Sequence, residues 1–156
     1  MNANEKLIMK FYSAFQQKDF LVMQSCYHND ATFSDPVFQN LNGKEVKAMW
    51  EMLLTSSKDL RIEFNNIHAH EQSGSAHWEA WYSFSRTGRQ VHNIIGATFE
   101  FRDGLIYKHR DHFSFWRWSR QALGRNGTLL GWTPVVRNKV RAVARKSLDK
   151  FLVSSL

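Results

Sequence analysis

The chain has 156 residues, which is enough for one domain with a sizeable core and too few for two ordinary domains. Hydrophobic residues make up 43% of it, including 12 Phe and 6 Trp, so disorder is excluded and aromatic rings are available to line a cavity as well as fill a core. The net charge of +7 is concentrated from Trp116 onward, where there are nine basic residues and one acidic residue. The preceding part therefore carries a net charge of −1, which excludes the basic body of a nucleic-acid-binding protein.

Targeting and redox signals are few. The N-terminal residues carry charges at Glu5, Lys6 and Lys10, and no apolar run of signal-peptide length follows them. No segment reaches the roughly 18 apolar residues that a membrane span requires. These patterns predict a cytoplasmic protein. Cys26 is the only cysteine, which excludes an internal disulfide and favours a small buried side chain over a catalytic thiol.

Three helices are predicted before the first long strand. Asn4 can cap a helix whose apolar residues recur at helical spacing, namely Leu7, Ile8, Phe11, Ala14 and Phe15. A second short helix is predicted from Asp19 to Cys26. Residues 31–34 then predict a short strand that ends at Asp35-Pro36, because proline lacks an amide proton to donate. Asn42-Gly43 opens the third helix, with one apolar face made of Val46, Met49, Trp50, Leu53 and Leu54.

The period of the hydrophobic pattern then changes from 3.6 to 2. Residues 60–71, 75–87, 90–102 and 105–115 predict four long strands. The connections at residues 72–74, 87–89 and 103–104 are short and of hairpin type, so the strands must be antiparallel neighbours. One face of this sheet is expected to be covered by the three preceding helices.

The C-terminal part is predicted to be helical and basic. Residues 116–124 predict one or two helical turns, and residues 124–131 predict a glycine-rich loop. Thr133-Pro134 is typical of an N-cap and first turn, and it opens a last helix that runs to about Val153. Its inward residues are predicted to be Val136, Val140, Val143, Leu148 and Phe151.

These elements predict the α+β class. We expect a cone-shaped barrel, in which a curved antiparallel sheet wraps around the N-terminal helices and leaves a pocket inside. Residues 1–125 would form this domain, and residues 126–156 a basic C-terminal helical extension packed on it.

The strand after Asp103-Gly104 carries the most informative polar residue. Alternation places Leu105, Tyr107, His109, Asp111 and Phe113 on one face, and Ile106, Lys108, Arg110 and His112 on the other. A carboxyl group among aromatic neighbours must be hydrogen-bonded, paired or protonated, and apolar surroundings raise its pKa. Asp111 is therefore a candidate general acid or base that needs no cofactor. The alternative is a structural Asp111 satisfied by His109 or a backbone amide.

Two groups of motifs resemble a known superfamily. Residues 11–15, Asp19, residues 30–38 and Asn42-Gly43 resemble the N-terminal half of nuclear transport factor 2-like proteins, a group that includes ketosteroid isomerases and limonene epoxide hydrolases. Asp103-Gly104, residues 109–111 and residues 120–124 resemble SnoaL-like polyketide cyclases more closely. The resemblance covers roughly residues 4–125. It implies an α+β barrel with a hydrophobic pocket and a homodimer packed through the outer sheet face.

The resemblance also implies roles for individual residues. Asp111 matches the acid/base aspartate of the cyclases, Asp35 the proton-shuttling base of the isomerases, and Tyr12 their oxyanion-stabilising tyrosine. Both the second oxyanion donor of the isomerases and the accessory histidine of the cyclases fall on Ala97. The Asp-Arg-Asp set of the epoxide hydrolases has no counterpart on residues 93–97. Further residues are expected to line the ligand pocket: Phe15, Trp50, Trp78, Tyr82, Asn93, Ala97, Phe99 and His109.

Two functions stay open at this stage. The first is a cofactor-free cyclase or isomerase that acts on a small hydrophobic ligand bearing a carbonyl or hydroxyl group. The second is a binding or interaction module of the same fold without catalysis. His68-x-His70 and His109-x-Asp111 each offer two ligands at strand spacing, but no third, so no metal is predicted. The basic last helix could contact an anionic membrane surface or nucleic acid, although a helix docked on the domain with a solvated basic face is the simpler interpretation, and no nucleic-acid partner is expected.

Overall fold

A computed structural model describes residues 1–156 and contains six helices and five strands. In chain order the elements are α1 (Ala3–Gln16), α2 (Phe20–Ser25), β1 (Tyr27–Ser34), α3 (Gly43–Ser56), β2 (Arg61–Ala69), β3 (Ser73–Ser83), β4 (Gln90–Arg102), β5 (Leu105–His112), α4 (Phe115–Leu123), α5 (Arg125–Leu130) and α6 (Pro134–Ser154). The α+β class is confirmed. None of the helices is long and apolar enough to cross a membrane.

The five strands form one mixed sheet in the order β1-β5-β4-β3-β2. The predicted antiparallel meander is confirmed for β2 to β5. The first strand adds to it in the parallel direction, with Phe33 opposite His109. The sheet curves around the N-terminal helices but does not close, because β1 and β2 remain at its two edges.

Local signals place the helix ends. Asn42 forms the predicted cap of α3, accepting from the amide of Glu45, whose side chain bonds back to the amide of Asn42. Asp19 caps α2, so this helix begins at Phe20, one residue after its predicted start. The cap of α1 is Asn2, not Asn4, and Asn4 instead donates to the carbonyl of His70 beyond β2. An Asn at either position fits the helical pattern, so the pattern alone could not separate them.

The last strand contains an irregularity that the alternating pattern does not show. The register between β4 and β5 shifts after Glu100, where Phe101 pairs with Ile106 while Glu100 pairs with Lys108. This bulge turns Ile106 to the inner face, where it is fully buried, although strict alternation had placed it outside. His109 and Asp111 keep their predicted inward positions.

The glycine-rich segment after α4 is helical, so the predicted loop over residues 124–131 is wrong. A Cβ on Gly127 would collide with the backbone carbonyl of Ser119 in α4, and one on Gly131 would collide with the Ser119 side chain. These glycines permit a close helix contact and do not mark a flexible loop. A glycine in the sequence is equally compatible with a close helix contact and with a flexible loop, because the sequence shows only that the side chain is missing.

The C-terminal helix packs across α3. Leu148 is fully buried in the main core cluster, and Ala144, Phe151 and Leu152 pack against it. Arg145 forms an ion pair with Glu45 of α3. A smaller cluster of Val91, Phe115, Trp118 and Ala122 contacts Val136 and Val140 of the same helix. The extension is therefore integrated into the domain through both clusters.

Candidate active site

Asp111 lies inside the cone, on the inner face of β5. Asp111 is 3% exposed, and its cross-strand partner on β4 is Ala97. Ala97 is in turn opposite Ala76 on β3. On the β4 side, the Asp111 carboxylate therefore faces the methyl group of Ala97 and no polar side chain.

A chain of hydrogen bonds ends on the Asp111 carboxylate. The indole nitrogen of Trp50 donates to the Tyr27 hydroxyl at 2.9 Å, and that hydroxyl lies 2.7 Å from Nδ1 of His109. His109 Nε2 lies 2.9 Å from Oδ1 of Asp111, and the Trp78 indole nitrogen donates to the same oxygen at 3.4 Å. An indole nitrogen can only donate, so with a neutral imidazole each donor along this chain points towards Asp111. The arrangement fixes the His109 tautomer with its proton on Nε2.

Aromatic rings hold the imidazole of His109 from several sides. The Phe33 and Phe99 rings lie 4.9 and 4.5 Å from it between centroids, and the Phe11 ring meets it edge-on at 5.7 Å. The Trp50 ring is stacked on it at 6.4 Å. This packing excludes water from the His109–Asp111 pair, and the low local dielectric strengthens its hydrogen bond.

Tyr12 brings an unpaired hydroxyl to the same interior. The residue is fully buried on α1, and its hydroxyl has no hydrogen-bond partner. Burial, and then the negative charge of Asp111, hold the pKa of Tyr12 well above its usual value of 10.0, so the group stays protonated as a donor. A buried hydroxyl without a partner costs about 1–3 kcal/mol, which a ligand oxygen could recover.

The Asp35 carboxyl group holds a turn, and its pKa is raised. Its Oδ1 accepts from the amides of Val37 and Phe38 at 2.7 and 2.6 Å, the turn that Asp-Pro favours. Burial raises its pKa to about 7, and the charge of Asp111 adds to this, while the two amides and Arg141 oppose it.

The remaining predicted lining residues all face inward. Tyr82 accepts from the indole nitrogen of Trp118 at 2.7 Å, and burial raises its pKa to about 12. Asn93 is buried opposite Ala80, while His92 points outward and bonds to Glu79 at 2.7 Å. The other members are buried core residues, namely Phe15, Trp50, Trp78, Ala97, Phe99 and His109. Their roles in ligand binding stay predictions.

Three residues of the site were missed by sequence reasoning. Tyr27 carries the link between Trp50 and His109, but the sequence pattern assigned its position to the region after the second helix. Its contact with His109 depends on the parallel pairing of β1 with β5, which no local signal reports. Trp118 and Arg141 reach the site from α4 and α6; Arg141 donates to the carbonyl of Pro36 at 2.8 Å.

The side chains of the two histidine motifs have different partners. The His109 ring is engaged by Tyr27 and Asp111, whereas His68 and His70 line a polar groove of about 620 Å³ to which residue 109 also contributes. No group of three or more His, Cys, Asp or Glu side chains comes together at metal-binding range.

Comparison with known families agrees with this fold. The model of the SnoaL-like domain matches residues 8–109, which is more than half of the chain. The match begins within α1 and ends at His109 within β5. The chain belongs to the SnoaL-like domain family. The matched region ends two residues before Asp111. No curated protein matches the chain in sequence.

Solved structures share the fold of this SnoaL-like protein at low sequence identity. An epoxide hydrolase of the LEH-like type from Mycobacterium tuberculosis has a TM-score of 0.64 and 16% identity, and the alignment covers 81% of this chain and 92% of that one. A protein assigned as a polyketide cyclase from Xanthomonas campestris has a TM-score of 0.63 and 20% identity, with 76% and 96% covered. AclR from Streptomyces galilaeus, assigned as a hydroxylase, has a TM-score of 0.63 and 16% identity, with 81% and 96% covered.

Proposed function

We propose that this SnoaL-like protein binds a small hydrophobic molecule with a carbonyl or hydroxyl group inside the cone, and that Asp111 acts on it as a cofactor-free acid/base. The observation that carries the proposal is the hydrogen-bond chain that ends on Asp111 in the same interior as the unpaired hydroxyl of Tyr12. Neighbours of the same fold assigned as a polyketide cyclase and an epoxide hydrolase support a small-molecule function.

The two oxygens of Asp111 would have different tasks. Oδ1 is engaged by His109 and Trp78, so Oδ2 is the atom left to take a proton from a ligand carbon next to a carbonyl. The proton moves to Oδ2, and the electron pair of the C–H bond moves towards the carbonyl oxygen. In a ligand with a β,γ double bond, the enolate is a conjugated dienolate, and returning the proton from Oδ2 to its γ carbon completes an isomerisation. In a ligand with a second carbonyl, attack of the enolate carbon closes a ring, and the new alkoxide takes the proton back from Oδ2.

Tyr12 would stabilise the oxygen on which the charge develops. A protonated phenol in a dry site is a suitable donor, and removing one such donor typically lowers the rate by about a hundred- to a thousandfold. Asp35, with a pKa of about 7, would exchange the proton with solvent at the end of the cone that α6 covers. Ala97, opposite Asp111 on β4, supplies no side-chain donor, and His109 and Trp78 are bonded to Oδ1, so the Tyr12 hydroxyl would be the donor to the oxyanion.

Thermal stabilisation by a panel of sterols, polyketide-like aromatics, terpenoids and fatty acids tests this function. We expect one class to raise the melting temperature of the wild type, and Asp111→Asn and Tyr12→Phe to weaken that shift. Asp30→Asn and Tyr107→Phe lie outside the cone and serve as matched controls that should respond as the wild type does. Equal shifts in all five proteins would leave a binding module and remove Asp111 and Tyr12 from its site.

A further inference from the structure

The junction of α5 and α6 exposes an unusual concentration of large apolar side chains. Leu129, Leu130, Trp132 and Val135 are 61, 51, 71 and 75% exposed. The indole nitrogen of Trp132 donates to the carbonyl of Leu129 at 3.0 Å, so the polar atom of this side chain is already satisfied. We call these four residues the apolar corner. Apolar side chains exposed as a contiguous group mark an interaction site more often than single ones do.

Cations continue from this corner along the outer side of α6. Lys139, Lys146 and Lys150 are exposed and follow Val135 at helical spacing, so they lie on one side of the helix. We call these three residues the lysine stripe. The only acidic residue from Trp116 onward is Asp149, and Arg145 pairs with it at 3.0 Å. The stripe therefore presents positive charge along about 17 Å of α6, from Lys139 to Lys150.

We propose that the apolar corner and the lysine stripe together dock on an anionic lipid bilayer. The corner would insert Trp132 and its aliphatic neighbours among the headgroups, where an indole with one polar atom is favoured. The lysines would contact the anionic headgroups from the same side of α6. This role is independent of the chemistry proposed for Asp111.

The combination of the two features selects this partner. Nucleic acid would use the lysines but gives no favourable place to Leu129 and Val135, because phosphate and sugar contacts are polar. An apolar protein surface would cover the corner but gives no reason for three lysines beside it. The opposite side of α6 is already occupied, since Leu148 and Phe151 pack on the core, so the helix can lie on a surface without leaving the domain.

Sedimentation of the full chain with phosphatidylcholine vesicles, with and without phosphatidylserine, tests the proposal. We expect binding only to the vesicles that contain phosphatidylserine, and weaker binding as the salt concentration rises. The variant Leu129→Ser/Trp132→Ser and the variant Lys139→Gln/Lys146→Gln/Lys150→Gln should each reduce binding by about tenfold or more. Val135→Ser offers a milder change at the most exposed position of the corner.

Matched controls carry the same chemistry elsewhere on the surface. Leu21→Ser changes an exposed leucine of α2, and Lys6→Gln/Lys44→Gln/Lys58→Gln removes three exposed lysines, so both should bind as the wild type does. Equal binding with and without phosphatidylserine, or no binding at all, would overturn the proposal. It would also be overturned if the corner variants only changed the oligomeric state, or if duplex DNA bound through the lysine stripe without need of the corner.

Discussion

At the scale of single residues, the site depends on the order of donors and acceptors. Trp50, Tyr27 and His109 pass hydrogen bonds in one direction, and Asp111 receives the last of them. Removing the polar group of Tyr27 or His109 leaves its two hydrogen-bond partners unsatisfied, because every member of the chain is buried. The chain therefore holds the carboxylate in place and makes the interior sensitive to small changes.

Tyr27→Phe tests this order. The change leaves the Trp50 indole nitrogen without an acceptor and His109 Nδ1 without its partner, so we expect a loss of about 2 kcal/mol in the free energy of unfolding. Urea denaturation measures it. Tyr107→Phe is the matched control and should stay within about 0.5 kcal/mol of the wild type. Equal stability of the two variants would show that the Tyr27 hydroxyl does not connect Trp50 to His109.

Asp35 predicts a pH dependence with a defined sign. Its pKa is raised in the folded protein from 3.8 to about 7, so the folded state prefers the protonated form. The associated stability is fully present below pH 3.8 and is lost as the pH rises through 7. Asp35→Asn lacks this titration. We expect it to gain on the order of 2 kcal/mol relative to the wild type between pH 4 and 8 in urea unfolding. A constant difference across that range would contradict the burial of the carboxyl group.

At the scale of elements, the features that were predicted correctly are those that depend on residues close together in the sequence. The opening of α3 at Asn42-Gly43, the turn at Asp103-Gly104 and the alternation in β4 depend on a few neighbouring residues, and the structure has them as predicted. Asp103 and Gly104 both have positive φ, as a type I′ turn requires. The parallel pairing of β1 with β5 and the bulge before Lys108 join distant segments or break the period. The sequence pattern therefore did not predict this pairing or this bulge. It also did not predict the role of Tyr27, whose contact with His109 depends on the pairing.

The misassigned glycine segment gives a test of element packing. Gly127→Ala places a methyl group against the Ser119 carbonyl, so α5 must move away from α4. We expect a loss of about 2 kcal/mol or more in unfolding free energy. Gly96→Ala is the control, because its added methyl group meets open space on the outer face of β4, and it should be neutral or slightly stabilising. Thermal denaturation of both variants decides between close packing and a loose loop.

At the scale of the whole molecule, the C-terminal extension links the core to the site. α6 buries Leu148 in the main core, and its Arg141 bonds to the Pro36 carbonyl beside Asp35. A sequence can show that such a helix is amphipathic, but it cannot show which elements its apolar side covers. The same helix presents the lysine stripe outward, so packing and surface charge are separated on its two sides.

Leu148→Ala tests the integration of the extension. Removing a fully buried leucine side chain should cost about 2–5 kcal/mol and lower the melting temperature of the entire domain in a single transition. Val153→Ala, at an exposed position of the same helix, should have little effect. A separate early transition for α6 would show that the extension folds apart from the rest of the domain.

The central claim is that Asp111 exchanges protons with a ligand held beside Tyr12. Deuterium exchange into the carbon next to the carbonyl of a bound ligand, followed by NMR in deuterated buffer, measures this directly. We predict exchange catalysed by the wild type and by Asp30→Asn, exchange abolished in Asp111→Asn, and a rate lowered by about a hundredfold or more in Tyr12→Phe. Binding of the same ligand with exchange no faster than in buffer alone would contradict the account and leave a binding protein.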